Sequence, residues 1–214
     1  MNLQTIFDQH DDRFSGKWKH YVEVYQRHLE KYVNQEVTLL EIGTSSGGSL
    51  QIWKKFLGPK AKIVGIDIDP RSVFTEDQIE TYIGSQADPN FLMNVLNRIG
   101  PPDIVIDDGS HDQMDVMNTF SILFEHVKNN GIYVIEDLHT AYQQDYHGGI
   151  TSPLNFVSIA SRFVHDVNLS WINQPYQPVV SNLKSMCFYD SMLVMEKAEP
   201  YKKEPYYVGT KKID

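Results

Sequence analysis

From Thr38 onward, short apolar runs (TLLEI, KIVGID, DIVID and GIYVIE) alternate with stretches patterned for helices. This alternation commits a chain to a mostly parallel sheet, since each parallel neighbour needs a crossover and the crossover helices then cover both faces. The runs predict strands at about 37–42, 62–67, 81–84, 103–107 and 131–136. Between them, GSLQIWKKFLG, DPNFLMNVLNRIG and DQMDVMNTFSILFEHVKNNG read as helices, two of them closing on glycine after an asparagine or basic turn. Units this short imply right-handed crossovers.

After His147-Gly148-Gly149 the pattern changes. SPLNFVSIASRFVHDVNLSW reads as one helix, with Ser152 as its cap and Pro153 at its first position. LKSMCFYDSMLVMEKAE reads as two strands around a tight Tyr-Asp-Ser turn, an antiparallel hairpin at the sheet edge. Upstream, GKWKHYVEVYQRHLEKY reads as one or two helices over the opening of the sheet. The 214 residues fit one domain: a helical cover over 1–36, a ligand-binding core over 37–147, and a helix, edge hairpin and tail over 148–214.

Several function classes are excluded early. A net charge of -9 argues against a nucleic-acid backbone as partner, and the four lysines of YKKEPYYVGTKKID read as a solvated tail. The single cysteine, Cys187, leaves no internal disulfide and no cysteine-built zinc site, so a cytoplasmic setting is expected. MNLQTIFDQHDDRF lacks the plan of a secretion signal, and no apolar run is long enough to span a membrane. Aromatics in the N-terminal segment and in the tail would suit a homo-oligomer.

The stretch LLEIGTSSGGSL places a strand, a loop of glycines and hydroxyls, and a helix start in succession. Glycine lets backbone approach a ligand, and the N–H groups of a helix start form a polar cradle. The loop is neither GxGxxG nor a P-loop, and alone it fits an ordinary βα turn equally well. A second feature strengthens it: Asp67 closes the next apolar run, where a doubly wound sheet puts the carboxylate that accepts hydrogen bonds from a ribose diol. Asp69 competes for that role but precedes Pro70 and suits the turn. Glu41, just ahead of the loop, would repel a pyrophosphate but satisfy the ammonium of S-adenosylmethionine.

Taken with VGIDIDP, GSQADP, DIVIDDGSH and GIYVIEDLHTAY, the loop resembles those of the class I S-adenosylmethionine-dependent methyltransferases. Within them the chain is most similar, over roughly residues 12–147, to the metal-dependent sugar O-methyltransferases of macrolide biosynthesis, the mycinamicin and tylosin type. The resemblance implies a Rossmann-like α/β fold with a seven-stranded sheet ending in an antiparallel hairpin. It also implies cofactor contacts at Glu41, Gly43, Asp67, the Gln86 region and Asp107; Thr44 and Ser49 of the glycine loop and helix start are expected to join them.

Asp107-Asp108 and Glu136-Asp137 end neighbouring strands on one edge of the predicted sheet. Carboxylates converging there repel one another unless a cation sits among them, and Mg²⁺ is the default for oxygen donors. Asp108, Glu136 and Asp137 are therefore the expected metal ligands, an assignment the resemblance also implies. Strand-end acids that merely cap the following helices are the alternative. Asp107 would face the cofactor side. His111 suits the role of base, its ordinary pKa lying near working pH, with His139 as the alternative base or a group orienting the ligands. Trp18, His20 and Tyr21 would either close over the ligands or pack as an aromatic helix face, and the loop HTAYQQDYHGG would grip the acceptor.

The expected activity is Mg²⁺-dependent O-methylation of a vicinal diol on a sugar-like small molecule. A catechol-type methyltransferase, a nucleotide-binding oxidoreductase and a non-catalytic relative of the fold are the competing readings.

Overall fold

The computed structural model describes residues 2–199 and 204–209; the four tail lysines lie outside them. Seven strands form one sheet: β1 (Thr38–Ile42), β2 (Lys62–Asp67), β3 (Ile79–Ile83), β4 (Ile104–Asp107), β5 (Ile132–Ile135), β6 (Leu183–Tyr189) and β7 (Met192–Lys197). Their order is β3-β2-β1-β4-β5-β7-β6, parallel as far as β5, with β7 and β6 added antiparallel. The expected Tyr-Asp-Ser hairpin thus closes the sheet edge. β3 starts two residues earlier than its sequence pattern suggests.

Alternation within the strands explains burial on both faces. On one face Leu39, Ile63, Ile104 and Ile132 pack beneath α1 (Leu3–Asp8), α2 (Lys19–Leu29) and α3 (Gly48–Leu57), whose Tyr21, Tyr25 and Trp53 fill the core. On the other, Leu40, Val105 and Tyr133 meet Leu92 of α4 (Pro89–Ile99) and Phe120 and Phe124 of α5 (Gln113–His126). Asp88 and Asp112 cap α4 and α5 by accepting the N–H of Asn90 and of Met114.

The expected single helix after the di-glycine is broken into α6 (Phe156–Ala160) and α7 (Val164–Val167), with one 3-10 turn between them and another after α7. Its cap is Asn155, which accepts the Ser158 N–H, and not Ser152. The break has a tertiary cause: buried Asp166 accepts the N–H groups of Val179 and Val180 and the Tyr176 hydroxyl, drawing the returning chain across the helix line. No helix among the described residues is long and apolar enough to cross a membrane.

This topology puts the C-terminal ends of β1, β2, β4 and β5 on one edge. The strand order reverses between β1 and β4, where open α/β sheets place their ligands.

Candidate active site

The sheet ladder continues one residue past the strands: Asp108 N–H bonds Ile42 O at 3.0 Å and Glu136 N–H bonds Asp107 O at 2.9 Å. The second acid of one pair and the first of the other are thereby held on backbone pairing, with Asp137 next in line. Asp137 and His111 carry positive φ values of 54° and 59°, a left-handed backbone that ordinary side chains enter at a cost. The Gly43 turn closes against the same edge. Its φ is +82°, and a Cβ there would lie 2.0 Å from the Asp108 carbonyl oxygen, so only glycine fits.

A pocket of about 420 Å³ runs along this edge. At one end lie Gly43, Ser45, Asp67, Ser85 and Gln86; at the other lie Asp108, His111 and Asp137. Asp67 is oriented by the N–H groups of Ser45 (2.7 Å) and Asp69 (2.9 Å), and Gln86 accepts the Ser110 N–H at 2.7 Å. At the acidic end His111 Nε2 stands 3.6 Å from Asp137 Oδ2 and 4.0 Å from Asp108 Oδ1.

Among the residues expected to touch a cofactor, Gly43, Asp67 and Gln86 line this pocket, whereas Glu41, Thr44, Ser49 and Asp107 stand behind its wall. The Glu41 carboxylate is fully buried and accepts from Ser49 Oγ (2.7 Å), Trp53 Nε1 (3.2 Å) and Lys17 Nζ (3.1 Å). The ammonium it satisfies belongs to the chain itself. Thr44 is buried, its hydroxyl without a hydrogen-bond partner among the described residues. Asp107 turns toward Gln86 Nε2 (3.3 Å) and the Tyr133 hydroxyl (3.2 Å), and burial pushes its carboxyl up to about 7.

The three expected metal ligands are shared between two neighbouring groups. Ligand atoms within metal-binding reach of one another form two groups, Asp108 with His111 and Asp137, and Glu41 with Asp108 and Glu136. Glu136 is not drawn in with Asp137, because its Oε1 is held by Lys17 Nζ at 2.6 Å and by the Tyr25 hydroxyl. Lys17 also lies 2.5 Å from Asp108 Oδ2. Burial pushes its pKa down, but the three surrounding carboxylates outweigh that and hold it raised. Burial raises the carboxyls of Asp108 and Glu136, with Lys17 opposing the shift.

Lys17 belongs to a strap ahead of α2 that the sequence reading valued only for its aromatics. Trp18 Nε1 donates to Asp137 Oδ1 at 3.1 Å, and the Tyr21 hydroxyl lies 2.7 Å from the same oxygen while accepting the Asp137 N–H. So Trp18 and Tyr21 reach an acid of the site, whereas His20 packs on their rings and bonds the Asp190 carbonyl. The available signal was charge: converging carboxylates demand a cation, and a lysine stands in GKWKHY beside the aromatics. What hid it was a separation of 91 residues from Asp108 and 119 from Glu136.

His139 lies outside the pocket, bonding Ser191 Oγ through Nδ1 at 2.6 Å. With Tyr142 of the loop and Phe188 it lines a second cavity of about 530 Å³.

The residues at the acidic end suit a hard divalent cation. Two carboxylates, Asp108 and Asp137, aim an oxygen into a pocket open enough for water and substrate hydroxyls to complete the coordination that Mg²⁺ prefers.

Comparison with known proteins agrees with the fold. The structure matches the MycE methyltransferase of the mycinamycin biosynthetic pathway, solved in complex with Mg, SAH and mycinamycin VI, with a TM-score of 0.83 and 32% identity. The match covers 92% of this chain and 54% of that one. The chain has the class I methyltransferase fold. A putative caffeoyl-CoA O-methyltransferase from Staphylococcus aureus shares this fold at 16% identity and a TM-score of 0.54.

By sequence, the chain is 33% identical over 197 residues to the 8-demethyl-8-alpha-L-rhamnosyl tetracenomycin-C 2'-O-methyltransferase of Streptomyces olivaceus, covering 86% of this chain and 52% of that protein. It is 46% identical over 131 residues to the mycinamicin VI 2''-O-methyltransferase of Micromonospora griseorubida, covering 58% of this chain and 33% of the relative. The chain thus spans between a third and about half the length of these curated relatives. No family model matches it.

Proposed function

We propose that the chain is an S-adenosylmethionine-dependent O-methyltransferase that uses Mg²⁺ and methylates one hydroxyl of a vicinal diol on a sugar or glycosylated small molecule. The observation that carries this reading is the continuity of one pocket, from the diol-accepting Asp67 to the paired acids and His111. The relatives support it, being named as methyltransferases of sugar-bearing macrolides and tetracenomycins.

In this reading Asp67 accepts the ribose hydroxyls, Gly43 lets the backbone approach the cofactor, and Gln86 with Ser110 borders the base. Asp108 and Asp137 would hold Mg²⁺. When bound, the ion lowers the pKa of a hydroxyl beside it and fixes that oxygen in place. His111 Nε2 accepts the hydroxyl proton as the oxygen attacks the sulfonium methyl; a C–O bond forms, the C–S bond breaks, and the neutral thioether leaves. His111 Nε2 stands within 3.6 Å of Asp137 Oδ2 and 4.0 Å of Asp108 Oδ1, which places the base beside the acids that would hold the ion. The strap brings Trp18 Nε1 and the Tyr21 hydroxyl onto Asp137 from the α2 side.

Calorimetric titration with S-adenosylmethionine and with NAD⁺, each with and without Mg²⁺, tests the cofactor. Binding of the sulfonium and not of NAD⁺ is expected, and the reverse result overturns the reading. A panel of sugars, sugar glycosides and catechols with a labelled methyl donor then tests the acceptor. Label on catechols alone would replace the sugar assignment by the catechol type.

A further inference from the structure

His111 and Asp137 both sit on left-handed backbone, at φ values of 59° and 54°, in turns that follow β4 and β5. Residues keep such a conformation only where their surroundings over-determine it. Behind the pocket wall their carbonyl oxygens meet on two buried side chains. Thr140 Oγ1 lies 2.8 Å from Asp137 O and 3.1 Å from His111 O, and Gln113 Nε2 lies 3.1 Å from His111 O and 3.4 Å from Thr140 Oγ1. We infer that Gln113 and Thr140 are positioning residues for methyl transfer, a buried bolt that fixes the turn carrying His111 to the turn carrying Asp137. This rests on the reading of His111 as the base; the bonds themselves involve only backbone carbonyls and neutral side chains.

Donor counting gives the bolt one arrangement. The Phe156 N–H donates to Gln113 Oε1 at 3.0 Å, which sends the two N–H donors of the amide toward the His111 carbonyl and the Thr140 hydroxyl. The single proton of that hydroxyl then goes to Asp137 O, the nearer of its two carbonyls. No donor of either side chain is left over, as burial demands: Gln113 is 0% exposed and Thr140 3%.

The start of α5 does not itself call for the Gln113 amide. Asp112 already caps that helix through the Met114 N–H at 2.9 Å, so Gln113 can turn inward. The far side of the bolt is anchored as well. Thr140 N–H donates to Asp137 O at 3.0 Å, and buried Asn155 donates to Ala141 O (2.8 Å) and Gly149 O (3.0 Å) while capping α6, whose Phe156 holds the Gln113 oxygen. A Cβ on Gly148 would sit 2.5 Å from Thr140 O, so the di-glycine passes directly against this turn. Moving His111 relative to Asp137 would therefore break bonds inside the protein, where nothing replaces them. A displacement of about 1 Å at a reacting group costs about 10² in rate, so a bolt at this place bears on turnover.

Thr140→Val removes the hydroxyl at nearly constant shape, Thr140→Ser keeps it, and Gln113→Met removes the amide. The first measurement needs no acceptor: the ring C–H resonance of His111, assigned by its absence from His111→Ala, is recorded by NMR with saturating S-adenosylhomocysteine. It is expected to shift or broaden in Thr140→Val and Gln113→Met and to keep its wild-type position in Thr140→Ser. The second is turnover of whichever glycoside of the acceptor panel takes label fastest, measured well below the Tm of each variant. In Thr140→Val and Gln113→Met kcat should fall about 10- to 100-fold. KM for S-adenosylmethionine should stay unchanged, because Asp67 and Gln86 stand at the other end of the pocket. Thr140→Ser should keep the wild-type kcat.

Bonds that merely held the fold together would lower Tm in the valine variant and leave the resonance and kcat alone, and that result overturns the inference. A serine variant as slow as the valine one overturns it too, as does an unmoved His111 resonance in folded Thr140→Val. If the resonance moves while His111→Ala turns over at the wild-type rate, the bolt stands and the reading of His111 as base fails. Should Gln113→Met not fold, Thr140→Val, which loses a single hydroxyl, still decides.

Discussion

His111 and Asp137 show what the site costs at the level of single residues. Both hold left-handed backbone, where a side-chain-bearing residue costs about 1–2 kcal/mol relative to its ordinary conformations. Glycine would relieve that cost at position 111 while removing the base. His111→Gly is therefore expected to lower turnover by about 10²- to 10⁴-fold, like His111→Ala, while unfolding in urea at the same or higher denaturant than His111→Ala. A glycine variant less stable than the alanine one would show that the backbone there is not strained. Asp108→Ala should abolish turnover and metal dependence while calorimetry still detects S-adenosylmethionine, because Asp67 and Gln86 stand at the other end of the pocket. Activity that persisted in chelator would remove the metal from the mechanism. These residues were legible because DDGSH and IEDLH each join a strand end to ionisable groups. Which oxygen of each acid faces which partner was not, because that is decided by Lys17, Tyr21 and Tyr25 from another part of the chain.

Among the elements, β1, β2, β4 and β5 were readable to within about two residues, since apolar runs bounded by polar turns carry their own evidence. The segment after the di-glycine was misread because its helical periodicity is real but local, whereas the bonds of Asp166 to Val179, Val180 and Tyr176 come from the returning chain. The turn between β1 and α3 offers the sharpest test at this scale. Gly43→Ala puts a methyl group 2.0 Å from the Asp108 carbonyl oxygen at a φ of +82°. Left-handed strain and overpacking together should cost about 2–4 kcal/mol, read as a lower urea midpoint with an unchanged slope. Because the atom that must move is the carbonyl of Asp108, cofactor and metal binding should weaken together in that variant. Loss of stability with both affinities intact would mean that the turn and the end of β4 adjust independently.

For the whole molecule, the pocket is lined by residues from Gly16 to Asp137, so a ligand there ties the N-terminal strap to three βα units. Binding to the folded state alone stabilises by about 2.7 kcal/mol at a hundredfold excess over Kd. In a chain of 214 residues each kcal/mol moves Tm by about 2–4 °C. Saturating S-adenosylhomocysteine should therefore raise Tm by about 5–10 °C in a thermal-shift assay. The two ends of the pocket can be separated in the same assay. Asp67 is oriented by backbone N–H groups that need no metal, whereas Asp108 and Asp137 are oriented in part by Lys17, Trp18 and Tyr21. Since the orientation of Asp67 comes from backbone N–H groups, chelator should abolish methyl transfer yet leave most of the S-adenosylhomocysteine shift. If chelator erased the shift, metal would be building the cofactor end as well, and the division of labour along the pocket would have to be redrawn.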